Sequence, residues 1–393
     1  MTRPIQVLID YAALRHNYRQ VKSCAPGRKA WAVIKANGYG HGQQRVAEAL
    51  RDIADGFALI EIENAILLRE LGINQPMLLL EGIFDLQELQ LVRQHQLEMV
   101  VHCREQVEML SGVADSVSAL RLYIKLDTGM HRLGFDEADL PWLWSKLTEI
   151  KARQPLHLRL MTHFANADQI DGVDHQLERL QRMINGTNAA IWQAAGWQGG
   201  LSLSNSAALL LHSQRLNAFK EEWTRPGIAL YGGNPCSENR LTDASLDLQP
   251  VMTLSSSILA VRQVAIGETV GYGSTFRAEV PTRVGIVACG YADGYPRHAG
   301  TGTPIVVGEQ RTRTLGRVSM DMIACDITGM ENAVVGTPVT LWGRLPGGGV
   351  LPADEIATSA ETISYELFCN LSQRVLVRHW TSHDSAADSA HGA

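Results

Sequence analysis

An α/β fold, an N-terminal (β/α)8 TIM barrel followed by a C-terminal β-rich domain, is what this chain predicts. Short β-branched runs alternate with amphipathic helical stretches from residue 31 to residue 232. Beyond that point strand-like runs continue almost without helical pattern. Polar and charged residues also collect just after the β-branched runs, the edge on which a parallel barrel builds its site.

The runs are WAVIKA (31–36), GFALIEI (56–62), PMLLLEG (76–82), LEMVVHC (97–103), RLYIKLDTG (121–129), LHLRLMTHF (156–164), GLSLSNS (200–206) and RPGIALYG (225–232). Between them RVAEALRDIA, ENAILLRELG, DLQELQLVRQHQ and DHQLERLQRMINGTNAAIWQAAG place apolar residues three and four apart, the helical period. Eight such units fit a closed barrel, with a doubly wound open sheet as the alternative. The stretch GGNPCSENRLTDASLDLQP reads as a linker or surface excursion. After it VMTLSSSILAVRQV, RVGIVACGY, TPIVVG, DMIACDI and PVTLWG are strand-like, and ADEIATSAETISYELF restores a helical pattern. The barrel is expected over 11–235 and the β domain over 236–381, joined by the opening strand within 1–10. Residues 382–393 are small and polar and read as a disordered tail.

Composition narrows the function. The 393 residues suffice for two domains with a sizeable core. A net charge of −6, from 35 Lys+Arg against 41 Asp+Glu, leaves no basic surplus for nucleic acid. No signal peptide or membrane span is evident, and six cysteines without C-x-x-C pairs argue for reduced thiols and no metal site, so a cytoplasmic protein is expected. Its partners are then small molecules or copies of itself.

The segment AVIKANGYGHG (32–42) is the most informative stretch, because an apolar run ends on Lys35 and passes into a glycine-studded turn. Apolar neighbours lower a lysine's pKa from about 10.4 toward neutrality, which suits Schiff-base formation. The following turn, with Tyr39, can present amides and a phenol to a phosphate. Together these point to pyridoxal 5'-phosphate; the structural alternative is a snorkelling lysine before an ordinary turn. Further strand-end residues are Lys125, Asp127 and Arg132 around the fifth run, His163 after the sixth, and Asn205 with Ser206 after the seventh. Arg225 opens the eighth run, which is awkward for a strand-end site unless the true strand is shorter and earlier.

With those residues in place, the chain resembles the alanine racemases, pyridoxal phosphate enzymes of fold type III. The resemblance rests on AVIKANGYGHG, LDTGMHRLG (126–134), THFANAD (162–168), SNSAA (204–208), RPGIALYG, GYGSTF (271–276), GYADGY (290–295), GRVSMD (316–321) and ETISYE (361–366), in the family's order. It implies Lys35 as the cofactor-bearing base on the D-substrate face and Tyr272 as the base on the L-substrate face. Two bases are needed because racemisation removes a proton from one side of a planar carbanion and returns one on the other. His163 and Arg225 are implied to support Tyr272, and Arg225 to contact the pyridine nitrogen. A guanidinium does not give up its proton, so the ring nitrogen stays unprotonated. Tyr39, Ser206, the amides of Gly227 and Ile228, and Tyr365 are implied to hold the phosphate, with a helix N-cap as the competing reading of Ser206. Arg132 is implied to bond the cofactor's phenolic oxygen and the substrate, oriented by Lys125, which the family often carbamylates. The Met320 amide, with Asp321 nearby, resembles the substrate-carboxylate region; Asn205 has a supporting place, and Tyr291 and Tyr295 look like gate residues. Ser319 departs from the cysteine the family often has.

The resemblance further implies a homodimer with shared sites, in which Tyr272, Tyr291 and Met320 reach the partner's lysine. The implied activity is interconversion of L-alanine and D-alanine, for peptidoglycan supply or for D-alanine breakdown. The alternatives are a broad-specificity amino-acid racemase, a non-catalytic pyridoxal phosphate-binding barrel, and a fold-type III decarboxylase, for which Cys289 would be the notable residue; a small buried hydrophobe is the preferred view of Cys289.

Overall fold

The computed structural model describes residues 3–112, 119–236 and 246–380. The expected tail and the middle of the expected linker lie outside the described residues.

Strand β1 (Gln6–Asp10) comes first, and Asp10 caps the helix Tyr11–Ser23 by accepting from the amides of Ala12 and Ala13. Eight parallel strands then follow: β2 (Lys29–Val33), β3 (Gly56–Leu59), β4 (Met77–Leu79), β5 (Glu98–Val101), β6 (Leu120–Lys125), β7 (Leu156–Met161), β8 (Trp197–Ser202) and β9 (Trp223–Thr224). Their order is β8-β7-β6-β5-β4-β3-β2-β9, so each strand lies beside its sequence neighbour except β9, which returns to the first barrel strand. The gap between β8 and β9 is bridged by backbone bonds from Glu222 to the Leu201 carbonyl (2.9 Å) and from Arg225 to the Ser204 carbonyl (2.8 Å). The Ser202 hydroxyl adds a bond to the Trp223 carbonyl at 2.7 Å. The barrel is nearly closed.

One strand expectation needs correction. RPGIALYG is not the eighth strand: the strand is Trp223–Thr224, and Ile228–Tyr231 form a 3-10 turn. Pro226 has no N–H to donate to the ladder, so the strand ends at Thr224, although the Pro226 carbonyl still accepts from Val33 at 3.1 Å. Arg225 therefore sits immediately beyond a strand end, which removes the awkwardness noted above.

Aromatic side chains fill the barrel interior. Trp31 stacks on Trp223 at 4.0 Å between ring centroids, tying β2 to β9, and its indole N–H donates to the Tyr123 hydroxyl at 3.2 Å. All three rings are buried. Each such ring removes about 150–250 Å² from water, an upper bound of about 4–6 kcal/mol apiece.

The second half is strand-rich: β10 (Met252–Val264), β11 (Thr269–Val270), β12 (Phe276–Arg277), β13 (Thr282–Val287), β14 (Pro304–Val307), β15 (Gln310–Leu315), β16 (Ile323–Asp326), β17 (Pro338–Arg344), β18 (Val350–Leu351) and β19 (Leu376–Trp380). Apart from the β11–β12 ribbon they form one sheet with β1, which pairs with β10 antiparallel and β19 parallel. β17 also pairs with β10, which closes part of this sheet on itself. Two short helices, Ala353–Ser359 and Ser364–Cys369, return the chain toward the barrel's upper rim.

Candidate active site

Lys35 follows β2 by two residues, and the backbone after it is unusual. Ala36, Asn37, Gly38 and Tyr39 all have φ between 51° and 62°, a left-handed helical turn rather than the plain loop expected. Left-handed geometry costs about 1–2 kcal/mol per non-glycine residue. The turn is held by Gln43, whose side-chain amide donates to the Ile34 carbonyl (3.1 Å) and whose backbone N–H donates to Asn37 Oδ1 (3.0 Å). Its result is that Lys35 and Tyr39 both face one cavity.

That cavity, about 720 Å³, opens at the carboxyl ends of the strands, within the range of about 300–1,000 Å³ usual for small-molecule sites. It is lined by Lys35, Tyr39, Lys125, Arg132, His163, Asn205, Ser206, Arg225, Gly227, Ile228 and Tyr365, among others. Two lysines and two arginines share it with one lining carboxylate among the described residues, Glu81. Burial and the Arg132 charge lower the Lys35 pKa. Burial, then Arg225, Arg132 and Lys35, push Lys125 down to about 8. Lys125 is thus no surface partner of Asp127, which instead contacts His131 at 3.0 Å. Burial and the surrounding cations hold His163 well below its usual value, so its imidazole is neutral near pH 7.

Arg225 is buried at the cavity wall. Its Nη1 donates to Ser202 Oγ at 2.6 Å and its Nη2 to the carbonyls of Thr162 (2.5 Å) and Leu203 (3.2 Å). Burial brings it down to about 10, still protonated at neutral pH. Asn205 caps the helix Ser206–Leu211 by accepting from Ala208, and its side-chain nitrogen lies 3.5 Å from His163 Nε2. Asn205 is therefore the N-cap, which leaves the Ser206 hydroxyl free of that task; it accepts from the amides of Gly227 (2.9 Å) and Ala229 (3.3 Å).

Tyr39 stacks on Tyr231 at 4.8 Å and leans against Tyr365 at 6.0 Å. Its hydroxyl lies so near Gly227 that a Cβ there would come within 2.4 Å of it. Burial raises the pKa of both Tyr39 and Tyr365, keeping the phenols protonated as donors. Phenols, a serine hydroxyl and the Gly227–Ile228 backbone beside a cluster of cations make a donor set that fits an anionic phosphate, and a desolvated lysine across the same cavity fits an aldehyde.

Other expected residues lie elsewhere on the protomer. Tyr272, on the turn Tyr272–Ser274 between β11 and β12, is 71% exposed, and Met320 and Tyr291 are 53% and 39% exposed. None of the three lines the cavity. Asp321 pairs with Arg374 at 2.7 Å, and Arg374 also holds the buried Asp293 at 2.7 Å. Tyr295, expected at a gate, is corrected: it is buried, stacked on Trp342 at 6.1 Å, in the interior rather than at an opening. Cys289 is fully buried, and burial drives its thiol pKa well up, as suits a small hydrophobe.

Sequence reasoning missed Glu81, His102 and Cys369, which also line the cavity. Cys369 closes the Tyr365 helix, and no local pattern marks it as cavity-facing. His102 and Glu81 follow β5 and β4, so the strand-end rule had the means to include them.

Fold and site define a barrel protein whose cation-rich, lysine-centred cavity is completed by a helix from a β-rich second half. The profile of the alanine racemase N-terminal domain matches residues 9–235, and that of the alanine racemase C-terminal domain matches 251–379. An alanine racemase of Polaromonas naphthalenivorans is 46% identical over 379 residues, 96% of this chain and 99% of the relative; one of a Polaromonas species is 45% identical over 377 residues, 96% and 99%. Among solved structures, the biosynthetic alanine racemase of Pseudomonas aeruginosa superposes with a TM-score of 0.85 at 41% identity, covering 97% of this chain and 100% of that one. The chain belongs to the alanine racemase family.

Proposed function

We propose that this protein interconverts L-alanine and D-alanine with pyridoxal 5'-phosphate held through Lys35. The observation that carries the reading is the single cavity joining a desolvated lysine to a phosphate-fitting donor set, in a chain aligned end to end with proteins named alanine racemase. Bound there, pyridoxal phosphate supplies the electron sink that acidifies the substrate α-proton. Tyr39, Ser206, Tyr365 and the amides of Gly227 and Ile228 would hold the phosphate, and Arg225 would face the ring nitrogen. Arg132 would bond the phenolic oxygen and the substrate, oriented by Lys125 once that amine is carbamylated and so able to accept from the guanidinium. Lys35 handles the α-proton on one face, and Tyr272 on the other.

Tyr272 is remote from the cavity of its own protomer in exposure and in neighbours, so the second base comes from a second copy. The assembly we propose is a homodimer in which Tyr272, Tyr291 and Met320, with Asp321 nearby, complete the partner's cavity. The exposure of Tyr272, Met320 and Met322 supports it, since these are large apolar groups left open to a partner. We assign the barrel to 11–235 and the β domain to 1–10 with 236–381. Among the described residues no helix is long and apolar enough to cross a membrane, and we place the protein in the cytoplasm, supplying D-alanine for peptidoglycan or breaking it down.

The test is the absorbance spectrum of the purified protein with chiral analysis after incubation with L-alanine in deuterated water. A visible cofactor band, with D-alanine and α-deuteration appearing together, is the expected result. A band without alanine turnover overturns the substrate, and no band overturns the cofactor reading of Lys35.

A further inference from the structure

Arg225 is a buried cation whose guanidinium meets, among the described residues, only neutral acceptors: the Ser202 hydroxyl and the Thr162 and Leu203 carbonyls. A buried charge needs a compensating one nearby. Glu221, four residues earlier and buried, is the anion that opposes the loss of the Arg225 proton. Its own oxygens are spoken for. Oε1 accepts from the amides of Leu203 (2.7 Å) and Ser204 (2.6 Å), and Oε2 accepts from the Ser204 hydroxyl (2.7 Å) and Arg28 Nη1 (3.0 Å).

The two networks meet at one peptide group. The Leu203 carbonyl accepts from Arg225, and the N–H of that same peptide, on Ser204, donates to Glu221. A carboxylate drawing on the N–H makes the carbonyl a better acceptor, because hydrogen bonds in a chain polarise one another. The Ser204 carbonyl, one peptide on, also accepts from the Arg225 backbone. Arg28 anchors the carboxylate from behind, itself fixed to the Ser213 carbonyl at 3.1 Å and to Asn217.

We propose that Glu221 is a positioning residue for Arg225, holding the guanidinium toward the cofactor's ring nitrogen through the Leu203–Ser204 peptide. The inference rests on the reading of Arg225 as the partner of that nitrogen. Glu221 is not among the residues that line the cavity; a merely structural role would be to clamp the β8–β9 closure.

The experiment compares the dissociation constants of pyridoxal 5'-phosphate and of its 1-deaza analogue, in which carbon replaces the ring nitrogen, on the full-length apoprotein and on Glu221→Gln. The wild type is expected to prefer the natural cofactor. Glu221→Gln is expected to lose about tenfold of that preference, on the scale of a weakened charge-assisted bond, with analogue affinity within about twofold. Equal losses for both ligands, or no loss for either, overturn the proposal. Should Glu221→Gln fail to fold by circular dichroism, Glu221→Asp carries the test: it keeps the charge but withdraws it from the peptide, and an unchanged preference sinks the idea. A wild-type ratio near one would instead remove the reading of Arg225 and, with it, the role assigned to Glu221.

Discussion

At the scale of single residues the chemistry follows from crowding. Lys35, Lys125, Arg132 and Arg225 line one cavity, so each lysine is disfavoured as a cation by burial and by its neighbours. An amine so placed is free to act as nucleophile and base. Replacing Lys35 with alanine is expected to abolish the visible cofactor band and its fixation by borohydride, while inorganic phosphate still binds; a retained, reducible band would contradict the assignment. Tyr272→Phe is expected to leave cofactor affinity unchanged and to slow α-deuterium exchange from L-alanine by about a hundredfold or more, the scale of a lost general base, with a smaller loss from D-alanine. Equal losses from the two isomers would contradict the assignment of faces.

Single elements decide how those residues meet. The left-handed turn at 36–39 aims Lys35 and Tyr39 together, and Gly40 locks it against the second half of the chain. A Cβ on Gly40 would lie 2.0 Å from the Phe368 carbonyl oxygen, a backbone atom of the helix that carries Tyr365, and Gly40 has φ +77°. Gly40→Ala is therefore expected to destabilise the fold by about 2–4 kcal/mol, from overlap and left-handed strain together. It should also weaken phosphate binding by parting Tyr365 from Tyr39, and a melting curve with a phosphate titration checks both. An unaltered melting temperature would mean that the helix is not docked as described. The barrel's continuous apolar runs and helical repeats were legible because burial imposes them locally. The left-handed turn was not, since of its three non-glycine residues Asn37 favours that region but Ala36 and Tyr39 do not, and Gln43, outside the turn, helps to hold it. Nor was the end of the eighth strand, where an apolar run continues past Pro226 as a 3-10 turn.

For the molecule as a whole, stability should depend on pH through its buried histidines. His41 lies between Tyr231 and Phe368, donates from Nδ1 to the Tyr39 carbonyl at 2.7 Å, and has no partner for Nε2 among the described residues. Burial pushes its pKa down to about 4. The unfolded chain therefore binds its proton first as pH falls, and stability is lost between about pH 6.5 and 4, by up to about 3 kcal/mol from this group. Urea unfolding across that interval should show the decline, and His41→Gln should flatten it; parallel curves would exclude His41 as the source. The proposed dimer makes a second whole-molecule prediction. Mixed dimers of Lys35→Ala and Tyr272→Phe chains would contain one site with both bases intact, so refolding the two inactive variants together should restore about a quarter of wild-type activity. No recovery would place both bases in one chain.

The barrel, the strand-rich second half and the family were readable from the amino-acid order alone, because these rest on local periodicity and on motifs contiguous in the chain. It took the folded chain to show that Glu221 stands behind Arg225, that Glu81, His102 and Cys369 face the cavity of Lys35, that Tyr295 is interior, and that Tyr272 lies outside that cavity. Each of those facts joins segments far apart in the chain, and which of them meet is set by how strands close and helices dock, a long-range packing outcome that no short window of sequence contains.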